Sequence, residues 1–191
     1  MKATIILAQP KREGFNRAIA LSARSSLASD TEDGAKFLDL YADGYDPVLS
    51  AEELVRKISL DDTTLRYQDA LMEADRIVFV HPDWWGGPPA VLKGFLDRTL
   101  RPGIAYGQRE NDFNEEAGAG LFVGKRADVF ITTDARKPDN EGEWAPATVW
   151  KRHVLGYCGF SDIRVHVFWG LRDSGYAARK AWLDRVPGLL A

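Results

Sequence analysis

Two adjacent tryptophans, Trp84 and Trp85, stand on a turn that follows an apolar run and precedes a predicted helix. Pro82 ends the apolar run, and Gly86 and Gly87 let the backbone bend sharply and leave it open to close approach. Because adjacent side chains point in different directions, at least one indole is expected to face away from the main core. Tryptophan often packs in an interior, and an exposed aromatic patch can serve as a dimer interface. The pattern favours a third interpretation, a site that holds a flat ligand.

A second candidate site is the loop of residues 9–16, which lies between a predicted strand and the N-terminus of a predicted helix. Unpaired backbone N–H groups and the helix dipole attract phosphate there, and Lys11 and Arg12 add positive charge. Every such loop shares this geometry, and Glu13 would repel a phosphate if its side chain faced inward, so this loop alone is weak evidence for a phosphate site. It lacks G-x-G-x-x-G and the Gly-Lys-Ser/Thr of a nucleotide triphosphate loop, which argues against a dinucleotide fold or an ATPase.

Length, net charge, cysteine content and apolar runs limit the classes to which the protein can belong. A chain of 191 residues suits one domain, residues 1–191, which would bury roughly 70% of its unfolded surface. A net charge of −3 without a basic run argues against nucleic acid as a partner. The one cysteine, Cys158, excludes an internal disulfide and suits a reducing cytoplasm, where it is expected to be a small buried side chain. No apolar run reaches membrane-spanning length, so the protein is not expected to be embedded in a membrane.

Strand and helix patterns alternate along the chain. The predicted strands cover residues 3–8, 36–41, 77–80, 127–132 and 163–169, and the predicted helices cover 15–27, 51–58, 65–74, 89–100, 146–157 and 175–186. Residues 102–124 are predicted to be an irregular surface excursion. Helical crossovers between strands imply a doubly wound α/β fold with a five-stranded parallel sheet, in the flavodoxin-like order 2-1-3-4-5. Ligands bind at the carboxyl ends of strands 1 and 3 in that order, where the loop 9–16 and the tryptophan turn converge.

With both loops placed, the chain resembles the NAD(P)H dehydrogenase (quinone) family over nearly its whole length. The most specific signature is the Pro-x-Trp-Trp turn followed by Gly-Pro-Pro-Ala-x-Leu-Lys-Gly. Further matching segments are 9–16, Asp39-Leu40-Tyr41, Asp46-Pro47-Val48, Gly124-Lys125-Arg126, Thr132-Thr133 and Cys158-Gly159-Phe160.

The resemblance implies a homodimer with two interfacial sites, each holding FAD or FMN without a covalent bond. A reduced nicotinamide, NADH or NADPH, would deliver a hydride and leave before a quinone-like acceptor takes it, which is a two-electron, ping-pong reaction. No metal is implied. The implied cofactor-binding residues are Gln9, Phe15, Asn16, Pro82, Asp83, Trp84, Trp85, Thr132, Thr133 and Asp134.

The resemblance also assigns roles within this set. Backbone N–H groups of the turn would contact one edge of the flavin ring while the indoles of Trp84 and Trp85 pack on it. Phe15 and Asn16 match contacts to the phosphate and ribityl chain, and Gln9 stands where many relatives have histidine. Tyr106 and Tyr157 match aromatic residues that line the substrate pocket, so Trp84, Trp85 and Tyr106 are the candidate catalytic residues.

One departure from the family pattern concerns charge. Asp134 and Ala135 replace two glycines, and the loop of residues 134–147 is shorter than in mammalian-type enzymes. Since the reduced ring carries negative charge, an Asp134 carboxylate beside it would oppose reduction. We therefore expect Asp134 to turn to solvent, or Arg136 or Lys137 to compensate its charge.

Other chemistries have less support. His81, at a strand end, is the one histidine with a candidate role, and His166, inside a strand pattern, is expected to be structural. No serine nucleophile elbow and no HExxH motif is present. Two alternatives to an enzyme remain: a regulatory subunit of a membrane transport protein, and a one-electron carrier of the flavodoxin type.

Overall fold

The computed structural model describes residues 1–28, 34–107 and 119–191. Its centre is a parallel sheet of β1 (Ala3–Leu7), β2 (Lys36–Asp39), β3 (Arg76–Pro82), β4 (Arg126–Thr132) and β5 (Asp162–Phe168). The strand order is β2-β1-β3-β4-β5, and every neighbouring pair is parallel. The predicted doubly wound sheet and its order are confirmed.

Helices cover both faces of this sheet. They are α1 (Phe15–Ala28), α2 (Ala51–Arg56), α3 (Asp62–Glu73), α4 (Ala90–Thr99), α5 (Ala145–Thr148) and α6 (Tyr176–Leu189). Alternation along β1 sends Ile5 and Leu7 into the core under α1 and α6, and Ile6 into the core under α3 and α4. Both faces of the strand are therefore buried, which explains its unbroken apolar sequence.

Capping side chains fix the starts of α2 and α3; α2 begins at Ala51 as predicted, and α3 begins earlier than predicted. Asp61 accepts hydrogen bonds from the backbone N–H of Thr64 at 2.8 Å and from its hydroxyl at 2.7 Å. As a result α3 begins at Asp62, three residues before the apolar stripe that marked it in the sequence. Ser50 and Glu53 form a reciprocal capping box at the start of α2.

The segment predicted as one helix over residues 146–157 is more complex. A 3₁₀ turn, Glu141–Glu143, and the short α5 lead into a π-helix, Val149–Leu155. The Gly156 N–H donates to the Lys151 carbonyl five residues earlier, at 3.1 Å. Such wide turns occur often at functional sites, and this one forms a wall of the cavity described below.

Part of the predicted excursion over residues 102–124 is ordered by pairing. Tyr106 forms isolated bridges with Pro102 and Gly120. Residues 108–118 lie outside the described part of the chain. Within the described ranges, no helix is long and apolar enough to cross a membrane.

A buried ion pair lies at the end of the sheet opposite the tryptophan turn. Arg76 on β3 donates two hydrogen bonds to one oxygen of Asp128 on β4, at 2.8 and 2.7 Å. The other oxygen of Asp128 lies 2.8 Å from Nε2 of His166, whose ring stacks on Phe130. The prediction that His166 is structural is confirmed.

Close packing of α4 against the loop after β2 gives a prediction about stability. A Cβ on Gly94 would lie 2.1 Å from the Pro47 carbonyl oxygen, whereas a Cβ on Gly188 in α6 would meet nothing within 4 Å. We expect Gly94→Ala to lower the free energy of unfolding by about 1–3 kcal/mol, because the helix must move away. Gly188→Ala should be neutral or slightly stabilising. Urea unfolding measures both, and equal effects would show that the contact is not a constraint.

Candidate functional site

The tryptophan turn is a tight reversal of residues 84–87 directly after β3. The Trp84 N–H donates to the Gly87 carbonyl at 2.8 Å, and the Gly87 N–H donates back to the Trp84 carbonyl at 3.2 Å. The two central residues, Trp85 and Gly86, have φ of 58° and 77°. Positive φ at both positions is the pattern of a type I′ turn, which asparagine and glycine usually occupy. A tryptophan held there is backbone strain of the kind that concentrates at functional sites.

Both indoles of this turn are open to solvent. Trp84 is 45% exposed and Trp85 fully exposed, so neither is sealed in the interior. Added Cβ atoms at Gly86 and Gly87 would meet nothing within 4 Å, which leaves open space above the backbone. The N–H groups of Trp85 and Gly86 have no hydrogen-bond partner among the described residues. The turn therefore offers two aromatic faces and two unused donors.

Asp83 links the turn to β4. Its backbone N–H donates to the Thr132 carbonyl at 2.7 Å, and its Oδ2 accepts from the Thr133 hydroxyl at 2.9 Å. Its Oδ1 is buried and has no partner within the described ranges. A buried carboxylate oxygen without a donor costs free energy, and a bound N–H or O–H group would recover it.

The loop after β1 is held to the same strand. The Asn16 amide donates to Gln9 Oε1 at 3.2 Å and to the Thr132 hydroxyl at 2.9 Å, and Asn16 itself is buried. Phe15 packs on Phe168 with ring centroids 5.6 Å apart. Gln9, Asn16 and Thr132 thus meet at the carboxyl edge of the sheet, as the sequence predicts, but through contacts with one another.

The same loop carries free backbone donors. The N–H groups of residues 11–14 have no partner among the described residues, and α1 begins at Phe15 with no acidic residue in its first turn. Lys11, Arg12, Glu13 and Gly14 are exposed. Unpaired donors at the N-terminus of a 14-residue helix suit a phosphate group.

A cavity of about 440 Å³ lies beside the turn. Its lining residues come from the turn, α4, the segment that follows α4, and the π-helix: Leu49, Gly86, Gly87, Pro88, Lys93, Leu96, Asp97, Leu100, Arg101, Tyr106, Pro146, Val149, Trp150, His153, Val154, Tyr157 and Cys158. Tyr106 and Tyr157 pack edge to face there, with centroids 5.2 Å apart. The structure brings both predicted pocket tyrosines to one wall of this cavity.

His81 lies beneath the turn and is fully buried. Its Nδ1 lies 2.8 Å from the Pro82 carbonyl, and its Nε2 accepts from the Trp150 indole N–H at 3.1 Å. Burial, opposed by the Pro82 contact, lowers the pKa of His81 to about 4. The ring is therefore neutral near pH 7 and has both nitrogens engaged, so it positions Trp150 and the turn and is not a candidate proton donor.

Cys158 lines the cavity but has no nucleophilic character. Its side chain is buried, and burial raises the pKa of the thiol to about 11. A protonated thiol is a small apolar group at neutral pH. The prediction of a small buried side chain is confirmed.

Asp134 is exposed and binds Arg172. Its carboxylate accepts from the Arg172 backbone N–H at 2.8 Å and pairs with the Arg172 guanidinium at 3.0 Å. Lys137 pairs with Glu141. Asp134 is exposed, as expected from the alternative in which it turns to solvent. Among the described residues, its charge is compensated by Arg172 and not by Arg136 or Lys137. Arg172 is far along the chain, and no motif signals it.

Sequence reasoning also missed Arg101 and Trp150. Arg101 follows α4, Trp150 lies on the π-helix, and both are buried residues that line the cavity. No sequence signal predicts Trp150, because the π-helix that contains it has no recognisable spacing of apolar residues.

A scan against family models matches residues 1–186 to the family described as having a flavodoxin-like fold. The chain belongs to this family. An uncharacterized NAD(P)H oxidoreductase of Haemophilus influenzae is 31% identical over 96% of this chain and 91% of the relative. An FMN-dependent NADH:quinone oxidoreductase of Lachnoclostridium phytofermentans is 31% identical over 85% of this chain and 83% of the relative.

A solved structure has the same fold as this chain. The crystal structure of Smu.1420 from Streptococcus mutans is 27% identical, with a TM-score of 0.82 over 99% of this chain and 98% of the other. The predicted relationship to flavodoxin-like NAD(P)H oxidoreductases and quinone reductases, and with it the prediction of an enzyme, is confirmed.

Proposed function

We propose that the protein is a flavin-dependent NAD(P)H oxidoreductase that transfers two electrons, as a hydride, from a reduced nicotinamide to a quinone-like acceptor. The observation that carries this proposal is the tryptophan turn, whose exposed indoles and unused N–H groups adjoin an apolar cavity. The related oxidoreductases of Haemophilus influenzae and Lachnoclostridium phytofermentans support the same activity.

The donor and acceptor groups around the turn fit a flavin. The N–H groups of Trp85 and Gly86 suit the carbonyl edge of its ring, and the unpartnered Asp83 Oδ1 suits a ring N–H. The free N–H groups of residues 11–14 suit its phosphate. When bound, a flavin supplies what amino-acid side chains lack, reversible acceptance of a hydride.

The choice of flavin is also part of the proposal. We favour FMN over FAD because the relative from Lachnoclostridium phytofermentans is named as FMN-dependent. Heat-released flavin from the purified protein, separated by liquid chromatography, distinguishes the two. The cytoplasm, which supplies reduced nicotinamides, is the proposed location.

The cavity explains how two substrates could be used in turn. One apolar space adjoins the turn, and Tyr106 and Tyr157 form an aromatic wall there. Since the nicotinamide and the acceptor would compete for it, we expect ping-pong kinetics. Parallel lines in double-reciprocal plots at several acceptor concentrations would support this, and intersecting lines would require both substrates to bind together.

A homodimer is proposed from an apolar surface around α2. Val48, Leu54, Val55, Ile58 and Leu60 are all exposed in one short stretch of chain. Such a contiguous surface is unusual on a monomer, and Leu49 of the same stretch lines the cavity. A second copy covering this surface would also border the proposed site.

Substitution of one valine tests the dimer. We expect Val55→Asp to convert a dimer to a monomer in light scattering after size-exclusion chromatography, because it buries a charge in the interface. Val55 is 81% exposed and Val123, outside this surface, is 77% exposed, so Val123→Asp is the matched control. A wild-type monomer, or a dimer that survives Val55→Asp, would contradict the proposed interface.

The activity is tested on the purified protein under anaerobic conditions. We expect yellow protein, or protein that becomes yellow on adding FMN, and loss of the flavin absorbance band on adding NADH or NADPH. Restoration of the band by a quinone completes the reaction. Flavin that is not bleached without a second reductase would favour the electron carrier, and failure to bind any flavin would favour the regulatory subunit.

A further inference from the structure

Arg101 is a buried cation with no anionic partner among the described residues. Arg101 is 9% exposed. In its one described hydrogen bond, Nη2 donates to the Glu53 backbone carbonyl at 3.3 Å. No described carboxylate forms an ion pair with it. The other two buried arginines, Arg76 and Arg98, both have carboxylate partners. Arginine stays charged in proteins, so this charge is uncompensated within the described part of the chain.

The uncompensated charge faces the cavity beside the tryptophan turn. Arg101 is one of the residues that line that cavity. Lys93 and Asp97 line it too, but they neutralise each other through contacts of 2.6 and 2.8 Å. Among the lysine, arginine and carboxylate side chains of the described lining, this leaves one net positive charge, from Arg101; His153 also lines the cavity.

The surroundings strengthen this charge and shape the space around it. Leu96, Leu100 and Trp150 make much of the lining apolar, and an apolar wall lowers the local screening of a charge. Burial raises the pKa of Tyr106, while the Arg101 charge opposes that rise. Tyr106 is thus a neutral hydroxyl near the guanidinium, and its ring with that of Tyr157 gives a flat ligand an aromatic wall.

We propose that Arg101 determines acceptor specificity by selecting flat aromatic acceptors that carry an anionic oxygen, such as ionised hydroxyquinones. The guanidinium would bind the anion through charge-assisted hydrogen bonds, while the apolar walls and tyrosines bind the ring. This inference rests on the proposed function, because the acceptor must lie beside the turn. It adds the substrate class, which the family relationship leaves open.

Two naphthoquinones of similar size separate charge from shape. 2-Hydroxy-1,4-naphthoquinone is ionised at neutral pH, and 2-methyl-1,4-naphthoquinone is neutral. We expect Arg101→Gln, which keeps a donor for the Glu53 carbonyl, to lower kcat/KM about tenfold or more for the ionised quinone. The neutral quinone should change less than twofold, and Arg101→Lys should restore part of the loss because it keeps the charge. Arg126→Met, which removes an exposed cation at the far end of β4, should change neither.

Calorimetric titration of the ionised quinone into the FMN-loaded protein gives a second readout that needs no turnover. Here Arg101→Gln should weaken binding by a similar factor. If wild type reduces quinones but Arg101→Gln affects both compounds equally, the inference is overturned and the proposed function stands. If neither compound is reduced, the proposed function fails, and the titration decides whether Arg101 binds the anion. Equal binding by wild type and Arg101→Gln would overturn the inference in that case.

Discussion

Trp84→Ala is expected to weaken flavin binding about tenfold or more. The Trp84 indole is half-exposed on the turn and is free to pack on a planar ring. Stacking contributes about 0.5–1.5 kcal/mol beyond the burial of apolar surface, and burial of the remaining indole area adds to it. Titration of the apoprotein with FMN, followed by the quenching of flavin fluorescence, measures the dissociation constant.

A second tryptophan provides the control for this experiment. Trp169 follows β5 and packs edge to face on Trp144, with centroids 4.7 Å apart. Trp169→Ala should leave the dissociation constant within about twofold. If Trp84→Ala binds FMN as tightly as wild type, the indole does not stack on the ring, and the assignment of Trp84 to the cofactor site is wrong.

Glu53→Gln is expected to lower the free energy of unfolding by about 3 kcal/mol near pH 7. Glu53 on α2 accepts from Arg98 on α4 at 2.9 and 3.3 Å, and both residues are buried. Removing the Glu53 charge leaves the buried guanidinium with only the more exposed Asp61 carboxylate, 3.6 Å away, as an anionic partner. Loss of a buried partner typically costs about 3–5 kcal/mol, and glutamine keeps part of the hydrogen bonding. Glu52→Gln is the matched control, because Glu52 is exposed on the same helix and its pair with Arg56 contributes at most about 0.5 kcal/mol.

The same carboxylate gives a pH dependence. Burial raises the pKa of Glu53, but hydrogen bonds from Arg98, Ser59 and Ser50 and the Arg98 charge outweigh burial and lower the pKa to about 2. A lowered pKa stabilises the folded state above the ordinary value of 4.5, and this stabilisation, about 3 kcal/mol, is lost as the pH falls from 4.5 to 2. Urea unfolding across this range should show the difference between wild type and Glu53→Gln closing. A difference that stays constant would contradict the lowered pKa.

The sheet could be predicted from sequence because its signals are local. Unbroken apolar strands such as β1 and β3 are recognisable by their β-branched residues, and the intervening helices fix a parallel order. Helix boundaries were less accurate where a polar side chain decides them, as at Asp61. The π-helix could not be predicted, because its hydrogen-bond pattern follows from packing around the cavity.

The residues of the candidate site likewise fall into two groups, those that a local sequence motif predicts and those that it does not. The tryptophan turn and the loop after β1 were predictable because each is a contiguous motif at the carboxyl end of a strand. Arg101, Trp150 and Arg172 were not, because their roles depend on partners far away in the chain, such as the Asp134 carboxylate. The sequence also could not predict that His81 is neutral, because this depends on its burial and on the hydrogen bond that it accepts from the Trp150 indole N–H.

A crystal structure of the protein soaked with FMN is the decisive test of the flavin site. We expect the ring of FMN against the indoles of Trp84 and Trp85, with its polar edge within hydrogen-bond distance of the Trp85 and Gly86 N–H groups. The phosphate should lie on the N–H groups of residues 11–14. Flavin density at any other place, with the tryptophan turn free, would show that the turn is not the flavin site.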